Sequence, residues 1–199
     1  VIALNAGTGD QIWQADRDEM TSWSTPLIVP HEDRFQVIIS ATKRGRSYDL
    51  DSGELIWECA GLARNVVATP VFCNGVVTLG NSYDKQAMMG IQLRGARGDI
   101  TNTKQVLWTM NRMTPYVPSP LIYDGALYFL RHNQAVLSCV DPLTGKALRG
   151  PYRLGGLRET EPKVLEINEL DDQFSASPAL VGEALYLRGE KYLYRIGTP

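Results

Sequence analysis

Apolar and polar residues alternate over short stretches along most of this chain, and turn-forming residues separate the stretches. Segments 76–80 and 126–130 are rich in β-branched, aromatic and leucine residues, and each follows a turn pair, Asn-Gly at 74–75 and Asp-Gly at 124–125. Alternation with a period of two is typical of half-buried β-strands, and these pairs favour tight hairpin turns. The pattern therefore predicts an all-β protein.

A repeat runs through the chain. Trp13 and Trp57 lie 44 residues apart, and a glycine precedes each of them by four positions, at Gly9 and Gly53. Trp108 follows Trp57 after 51 residues, which indicates a unit with a longer loop. Repeats of about 40 to 50 residues with several short strands are typical of β-propeller blades, in which each unit packs against its neighbours.

Each unit contains its strand signals in the same order. The first strand follows Ser/Thr-Pro, the second follows a turn, the third alternates, and the fourth follows a Thr/Ser-Gly turn. The predicted first strands are 25–29, 69–72, 119–123 and 177–181; the second are 36–41, 76–80, 126–130 and 184–188; the third are 47–51, 135–141 and 192–196; the fourth are 11–14, 55–59 and 106–110. This order predicts a partial β-propeller of four-stranded antiparallel blades, with about 4 to 4.5 blades in the chain.

We predict one domain over 1–199, divided where one unit passes into the next. Its predicted parts are the outer strands of a preceding blade at 1–15, blades at 24–60, 68–110 and 118–150, a loop insertion at 151–174, and a last, incomplete blade at 175–199. Within the insertion, 162–170 is compatible with a helix and equally with a loop.

Three stretches carry a more specific resemblance. ALNAGTGDQIW at 3–13, YDLDSGELIW at 48–57 and CVDPLTGKAL at 139–148 resemble the repeat of the quinoprotein-like β-propellers, whose docking motif is Ala-x-Asp-x-x-Thr-Gly-x-x-x-Trp. That family includes PQQ-dependent dehydrogenases and BamB-type outer-membrane assembly lipoproteins. The resemblance implies that the chain is the C-terminal part of a larger ring, and that it works outside the cytoplasm, for example in the periplasm. Two departures are visible, Arg149 in place of a tryptophan and the insertion ARGDITNTKQ at 96–105.

The motif residues are predicted to be architectural. A glycine in a tight turn accepts backbone angles that other residues resist, and an indole buries a large area against a neighbouring blade. We therefore assign structural docking to the motif tryptophans and turn glycines, namely Trp13, Trp57, Trp108, Gly9, Gly53 and Gly145.

Composition limits the classes of binding partner that we expect. With 20 Lys and Arg against 22 Asp and Glu, the formal net charge of −2 gives no global attraction to nucleic acid. No apolar run is long enough to span a membrane, and no signal peptide is visible in this segment. The expected partner is a protein or a small anionic ligand, with self-association through exposed blade edges as a further expectation, including two copies closing one ring.

Metal sites are not predicted. Cys59, Cys73 and Cys139 form no C-x-x-C pair and are expected to be free thiols in the core. His31 and His132 lie in predicted loops without Cys or Glu at metal spacing. The tripeptide Arg-Gly-Asp at 97–99 is interpreted as a chance match in a turn.

The candidate binding face follows from propeller topology. Loops between second and third strands, and loops between blades, emerge on one face around the channel. These loops contain cations suited to carboxylates or phosphates and aromatics suited to stacking, although hairpin tips are commonly polar in any case. The predicted ligand-binding residues are Trp23, Lys43, Arg44, Arg46, Lys85, Tyr116, Arg131, His132 and Arg188.

No catalytic residue is predicted. PQQ chemistry requires calcium held by carboxylate and amide oxygens, a general-base Asp and aromatic planes, and no Asp-rich calcium loop or Cys-Cys pair occurs. The first hypothesis is a non-catalytic propeller that acts as a binding or scaffolding surface without a cofactor. The alternatives are the C-terminal part of a PQQ-dependent dehydrogenase, which would bind PQQ with calcium, and an interaction module for anionic peptide or polysaccharide.

Overall fold

Short antiparallel sheets arranged side by side make up the protein. The computed structural model describes residues 1–131, 136–153, 170–172, 179–181 and 184–197. Every regular element within those ranges is a strand, and the strands form five sheets. The prediction of an all-β fold with four-stranded antiparallel blades is confirmed.

The sheets follow one another along the chain. A two-stranded sheet comes first, with β1 (Ile2–Leu4) and β2 (Gln11–Gln14). The first full sheet contains β3 (Leu27–His31), β4 (Arg34–Ser40), β5 (Arg44–Asp49) and β6 (Leu55–Ala60). The second contains β7 (Val71–Cys73), β8 (Val76–Asn81), β9 (Ala87–Gln92) and β11 (Val106–Met110), with β10 (Gly98–Asp99) in the connection before β11. The third contains β12 (Leu121–Tyr123), β13 (Ala126–Leu130), β14 (Val136–Val140) and β15 (Ala147–Arg153), and a three-stranded sheet contains β16 (Ala179–Val181), β17 (Ala184–Arg188) and β18 (Leu193–Gly197).

Three strands of the structure, β9, β10 and β15, are absent from the predicted set. Strand β9 reads AMMGIQ, and alanine, methionine and glycine carry little intrinsic strand preference. It forms because β8 and β11 pair with it on both edges, so tertiary context decides the conformation. The predicted loop insertion over 151–174 begins within β15, which continues as a strand to Arg153. The rest of the insertion, including 162–169, lies largely outside the described residues and stays a prediction.

Two indoles dock as the motif predicts. The Trp13 Nε1–H donates to the Leu50 carbonyl at 2.8 Å, and the Trp108 Nε1–H donates to the Pro142 carbonyl at 2.9 Å. A Cβ added to Gly53 would lie 2.6 Å from Trp13 Cδ2. Each indole therefore lies on the turn of the next sheet, where the φ of Gly53 is +74°.

The turn that receives the indole has the same hydrogen bonds in two sheets. Asp49 Oδ1 accepts hydrogen bonds from the N–H of Asp51 at 3.0 Å and of Ser52 at 2.9 Å. Asp141 Oδ1 accepts the equivalent bond from the Leu143 N–H at 2.7 Å. These Asx turns hold the carbonyl and the glycine that receive the indole.

Trp57 is held differently. Its side chain is fully buried, and its Nε1–H donates to Gln36 Oε1 at 3.1 Å, within its own sheet. The next sheet has the insertion 96–105 where the receiving turn would stand. The insertion therefore changes this junction between blades.

The insertion covers the outer edge of the first full sheet. Strand β10 pairs in parallel with β6, and the Ile100 N–H donates to the Glu58 carbonyl at 2.9 Å. The Ala60 N–H donates to Thr101 Oγ1 at 2.8 Å, and Ile100 is 2% exposed. A strand edge that would otherwise present free main-chain groups is thus protected, and the Arg-Gly-Asp tripeptide lies in this cover.

The core lies between sheets. One cluster contains Ile38 and Trp57 of the first full sheet with Leu79 and Ile91 of the second. A second cluster joins the second and third sheets, and a third joins the two-stranded sheet to the first. All three cysteines are free, with Cys59 and Cys139 buried and Cys73 half-buried.

Substitution at the receiving turn tests the docking contact. Gly145→Ala places a Cβ 2.7 Å from Trp108 Cδ2 at a φ of +68°. The expected loss in the free energy of unfolding combines about 1–2 kcal/mol of backbone strain with about 1–3 kcal/mol of overpacking. Urea unfolding measures the loss.

Gly125→Ala is the matched control. Its φ is +70°, and nothing lies within 4 Å of the added Cβ. Gly125→Ala should therefore lose only the part of the free energy of unfolding that comes from backbone strain. Equal losses for the two variants would contradict the docking contact.

Candidate binding face

Loops from neighbouring sheets meet on one face of the molecule. The Lys43 N–H donates to the Ala63 carbonyl at 2.9 Å, and the Trp23 N–H donates to the Val66 carbonyl at 2.7 Å. Thr42 Oγ1 donates to the Thr21 carbonyl at 3.2 Å. Loops 15–26, 41–43 and 61–70 are therefore joined by hydrogen bonds.

The same connections continue into the next sheet. Asn81 Nδ2 donates to the Arg64 carbonyl at 2.6 Å, and Thr114 Oγ1 donates to the Asn81 carbonyl at 3.0 Å. We call the surface formed by loops 15–26, 41–43, 61–70, 82–86 and 111–120 the loop face. Its loops fix one another, so it is preorganised for binding.

Arg46 lies within an ion-pair network. Its side chain is 9% exposed, with Nε 2.9 Å from Glu58 Oε2, Nη2 2.8 Å from Asp18 Oδ1 and Nη1 3.0 Å from Glu19 Oε1. Burial lowers the pKa of Arg46, but hydrogen bonds to Asp18 and Glu58 outweigh burial and raise it. Burial also raises the pKa of Glu19. The network joins loop 15–26 to the first full sheet.

Arg44 shares a carboxylate with Arg46. Its Nη1 lies 2.8 Å from Glu58 Oε1, and its side chain is 34% exposed. Both predicted cations thus neutralise carboxylates of the protein in this structure. Their role in binding an anionic ligand stays a prediction.

The sequence does not predict a second ion pair, which joins Arg64 and Asp84. Arg64 Nε lies 2.8 Å from Asp84 Oδ2, and the Arg64 N–H donates to Asp84 Oδ1 at 3.0 Å. The Arg64 guanidinium and N–H lower the pKa of Asp84 to about 2. The pair lies between loops 61–70 and 82–86. Opposite charges in adjacent loops are the only sequence signal for it, and many other loop charges share that signal.

Exposed apolar side chains rise from the loop face. Trp23 is 68% exposed, Met20 71% and Tyr83 51%. The Tyr83 and Tyr116 rings lie with centroids 5.6 Å apart. Trp23 and Tyr116 were predicted from their loops, whereas Met20 and Tyr83 were missed because nothing in their spacing separates them from core residues.

The remaining predicted cations are distributed over several sheets. Lys43 is exposed on the loop face, and Lys85 is exposed in loop 82–86. Arg131 follows β13, where its N–H donates to the Val136 carbonyl at 3.0 Å, and Arg188 is exposed at the end of β17. His132 lies outside the described residues. That these side chains form one anion-binding collar stays a prediction.

The first strands of the three full sheets converge. They line a cavity of about 370 Å³ whose wall includes Ile28 of β3, Val71 and Phe72 of β7, and Leu121 and Ile122 of β12. Described residues of this wall are aliphatic, aromatic or proline, without the oxygen ligands that hold calcium beside PQQ.

Among the described residues, no group of three or more His, Cys, Asp or Glu side chains is placed to hold a metal ion. Nor does that part of the chain contain a helix long and apolar enough to cross a membrane.

Comparison with protein families shows to which family the chain belongs. Residues 1–150 match the family model described as outer membrane protein assembly factor BamB. The chain belongs to this family of PQQ-repeat propellers. The quinoprotein-like resemblance predicted from the docking motifs is confirmed. A search of the curated proteins finds no match.

Solved structures show the same fold. The crystal structure of BamB from Moraxella catarrhalis has a TM-score of 0.54 and 17% identity, covering 98% of this chain and 51% of that one. The quinohemoprotein alcohol dehydrogenase ADHIIG from Pseudomonas putida HK5 has a TM-score of 0.51 and 15% identity, covering 88% of this chain and 29% of that one. The chain thus spans about half of the BamB structure and under a third of the dehydrogenase.

The Arg64–Asp84 ion pair should make the stability of the fold depend on pH. The pKa of Asp84 is lowered from 3.8 to about 2, so the pair stabilises the fold above pH 3.8 and this contribution is lost as the pH falls toward 2. A carboxyl titration by NMR should show a midpoint near 2 for Asp84. In Arg64→Ala the midpoint should move up toward 3.8.

Arg97→Ala provides the control. Arg97 is an exposed arginine that pairs with Glu32 at 3.1 Å. Its removal should leave the Asp84 midpoint unchanged. An Asp84 midpoint that stays near 2 without Arg64 would show that the guanidinium is not the cause of the low pKa.

Proposed function

We propose that this chain is a non-catalytic binding or scaffolding propeller that holds a partner protein on its loop face. The observation that carries the proposal is the exposed apolar surface of Met20, Trp23 and Tyr83 on loops fixed by mutual hydrogen bonds. Exposed apolar side chains grouped on one surface mark interaction sites. Aromatic residues in particular dominate the binding energy of protein interfaces.

The charge of the loop face favours one kind of partner. Lys43 and Lys85 are exposed there, while Asp84 is already paired with Arg64. Complementary charge accelerates association and selects among partners. The proposed partner surface is therefore apolar at its centre and acidic around it.

Family membership supports a cellular location for the proposed binding activity. The matched family is described as an outer membrane protein assembly factor. By analogy, we place the chain outside the cytoplasm, where it would bring outer-membrane proteins into contact with their assembly machinery. The dehydrogenase alternative has less support because the described wall of the cavity between the first strands presents apolar side chains.

A capture experiment tests the proposal. The chain is immobilised, detergent-solubilised bacterial outer-membrane proteins are passed over it, and the retained species is identified and titrated by surface plasmon resonance. One protein should bind saturably to the unmodified chain. Trp23→Ser should weaken its binding at least about tenfold, as expected for loss of a central aromatic contact.

Tyr123→Ser is the matched control. Tyr123 is 65% exposed but stands at the end of β12 next to the 124–125 turn, at the opposite end of the sheet from the loop face. It should leave binding unchanged. Equal binding by all three chains would contradict the proposed surface, and saturable quenching of tryptophan fluorescence by PQQ with calcium would contradict the non-catalytic assignment.

A further inference from the structure

A cleft lies at the junction between the first and second full sheets, where residues of β6, β9, β11, the insertion and loop 82–86 line it. Its volume is about 830 Å³, within the usual range of about 300–1,000 Å³ for small-molecule sites. The insertion forms one wall with Thr101 and Thr103, and the other wall contains Thr109 of β11 and Asn111, which directly follows that strand. Lys85 also lines the cleft.

The insertion makes this junction different from the next one. Between the second and third full sheets, the cavity is about 240 Å³. The insertion is itself fixed, because β10 pairs with β6, Ile100 is buried, and Thr103 Oγ1 donates to the Ile100 carbonyl at 2.8 Å. The cleft therefore has a preformed wall that the repeat alone does not provide.

The lining side chains define the ligand. Hydroxyl and amide groups of Gln86, Thr101, Thr109 and Asn111 can both donate and accept hydrogen bonds. Of the described lining residues, Lys85 carries the one charge, which is positive. The ligand that satisfies both features has several hydroxyl groups and one carboxylate.

The floor of the cleft is apolar and uncharged. It includes Ala87 and Met89, with Cys59 Sγ 3.7 Å from Met89 Sδ. Burial raises the pKa of the Cys59 thiol to about 11, so the thiol stays neutral at physiological pH and does not repel a carboxylate. An apolar floor below polar walls suits the carbon face of a ring.

We propose that this cleft binds a small hydroxylated carboxylate of about hexuronate size. Lys85 binds its carboxylate, and the threonine, asparagine and glutamine side chains bind its hydroxyl groups. The site lies at the junction of two sheets and shares Lys85 with the loop face, while Trp23 does not line it. It gives the insertion a role beyond covering the edge of β6.

Three probes separate the two features of the ligand. Glucuronate has both the hydroxyl groups and the carboxylate, glucose has only the hydroxyl groups, and hexanoate has only the carboxylate. Calorimetric titration of the whole chain should show saturable glucuronate binding. Glucose and hexanoate should each bind about tenfold more weakly or not at all, since a charge-assisted hydrogen bond or the hydroxyl contacts are then lost.

Variants locate the site. Lys85→Ala should reduce glucuronate affinity about tenfold, to the level of glucose, and Thr109→Val should weaken both sugars while keeping the shape of its side chain. Lys104→Ala is the control, because Lys104 is an exposed cation of the same insertion that does not line the cleft. Thermal unfolding confirms that each variant is folded.

Several outcomes would overturn the proposal. Absence of saturable glucuronate binding would do so, as would equal affinity for glucuronate and hexanoate. Glucuronate binding that falls equally in Lys85→Ala and Lys104→Ala would show only nonspecific attraction to surface charge. None of these results depends on whether Trp23 contacts a partner protein.

Discussion

The contact between an indole and the glycine turn of the next sheet is the constraint on which this structure depends. Trp13 and Trp108 each donate a hydrogen bond to a carbonyl of the neighbouring turn and cover a glycine that has no room for a Cβ. The contact joins apolar burial to a satisfied indole N–H, which a buried tryptophan requires. It sets the spacing of the sheets, and that spacing brings their loops onto one face.

At the junction between the first and second full sheets, the repeat lacks this docked turn, and other contacts join the sheets. Trp57 turns its N–H to Gln36, and the insertion attaches the second sheet to the first through β10 and Ile100. Main-chain pairing and a buried isoleucine thus replace the docked turn. The cleft beside Lys85 lies at this same junction, with Thr101 and Thr103 of the insertion in its wall.

The repeat made most of the fold predictable from sequence. Trp13, Gly53 and the Asn-Gly and Asp-Gly turns are local signals that specify strand order and docking without knowledge of distant contacts. Strand β9 was missed because its residues have little strand preference, and β10 was missed because two residues carry no periodicity. Both form through pairing with strands that are already in place.

The candidate site was less predictable, for a physical reason. Loop topology places Trp23, Lys43 and Tyr116 on the loop face, but the sequence does not show which charges pair. Arg46 contacts three carboxylates from two segments, and Arg64 contacts Asp84 across two loops. Such pairs depend on the relative placement of loops, which no local pattern encodes.

Hydrogen exchange of the indole N–H groups, followed by NMR, tests the docking claim most directly. Trp13 and Trp108 donate to carbonyls of neighbouring sheets, whereas Trp23 is 68% exposed. The account predicts slow exchange at Trp13 and Trp108 and fast exchange at Trp23. Exchange at Trp13 and Trp108 as fast as at Trp23 would contradict it.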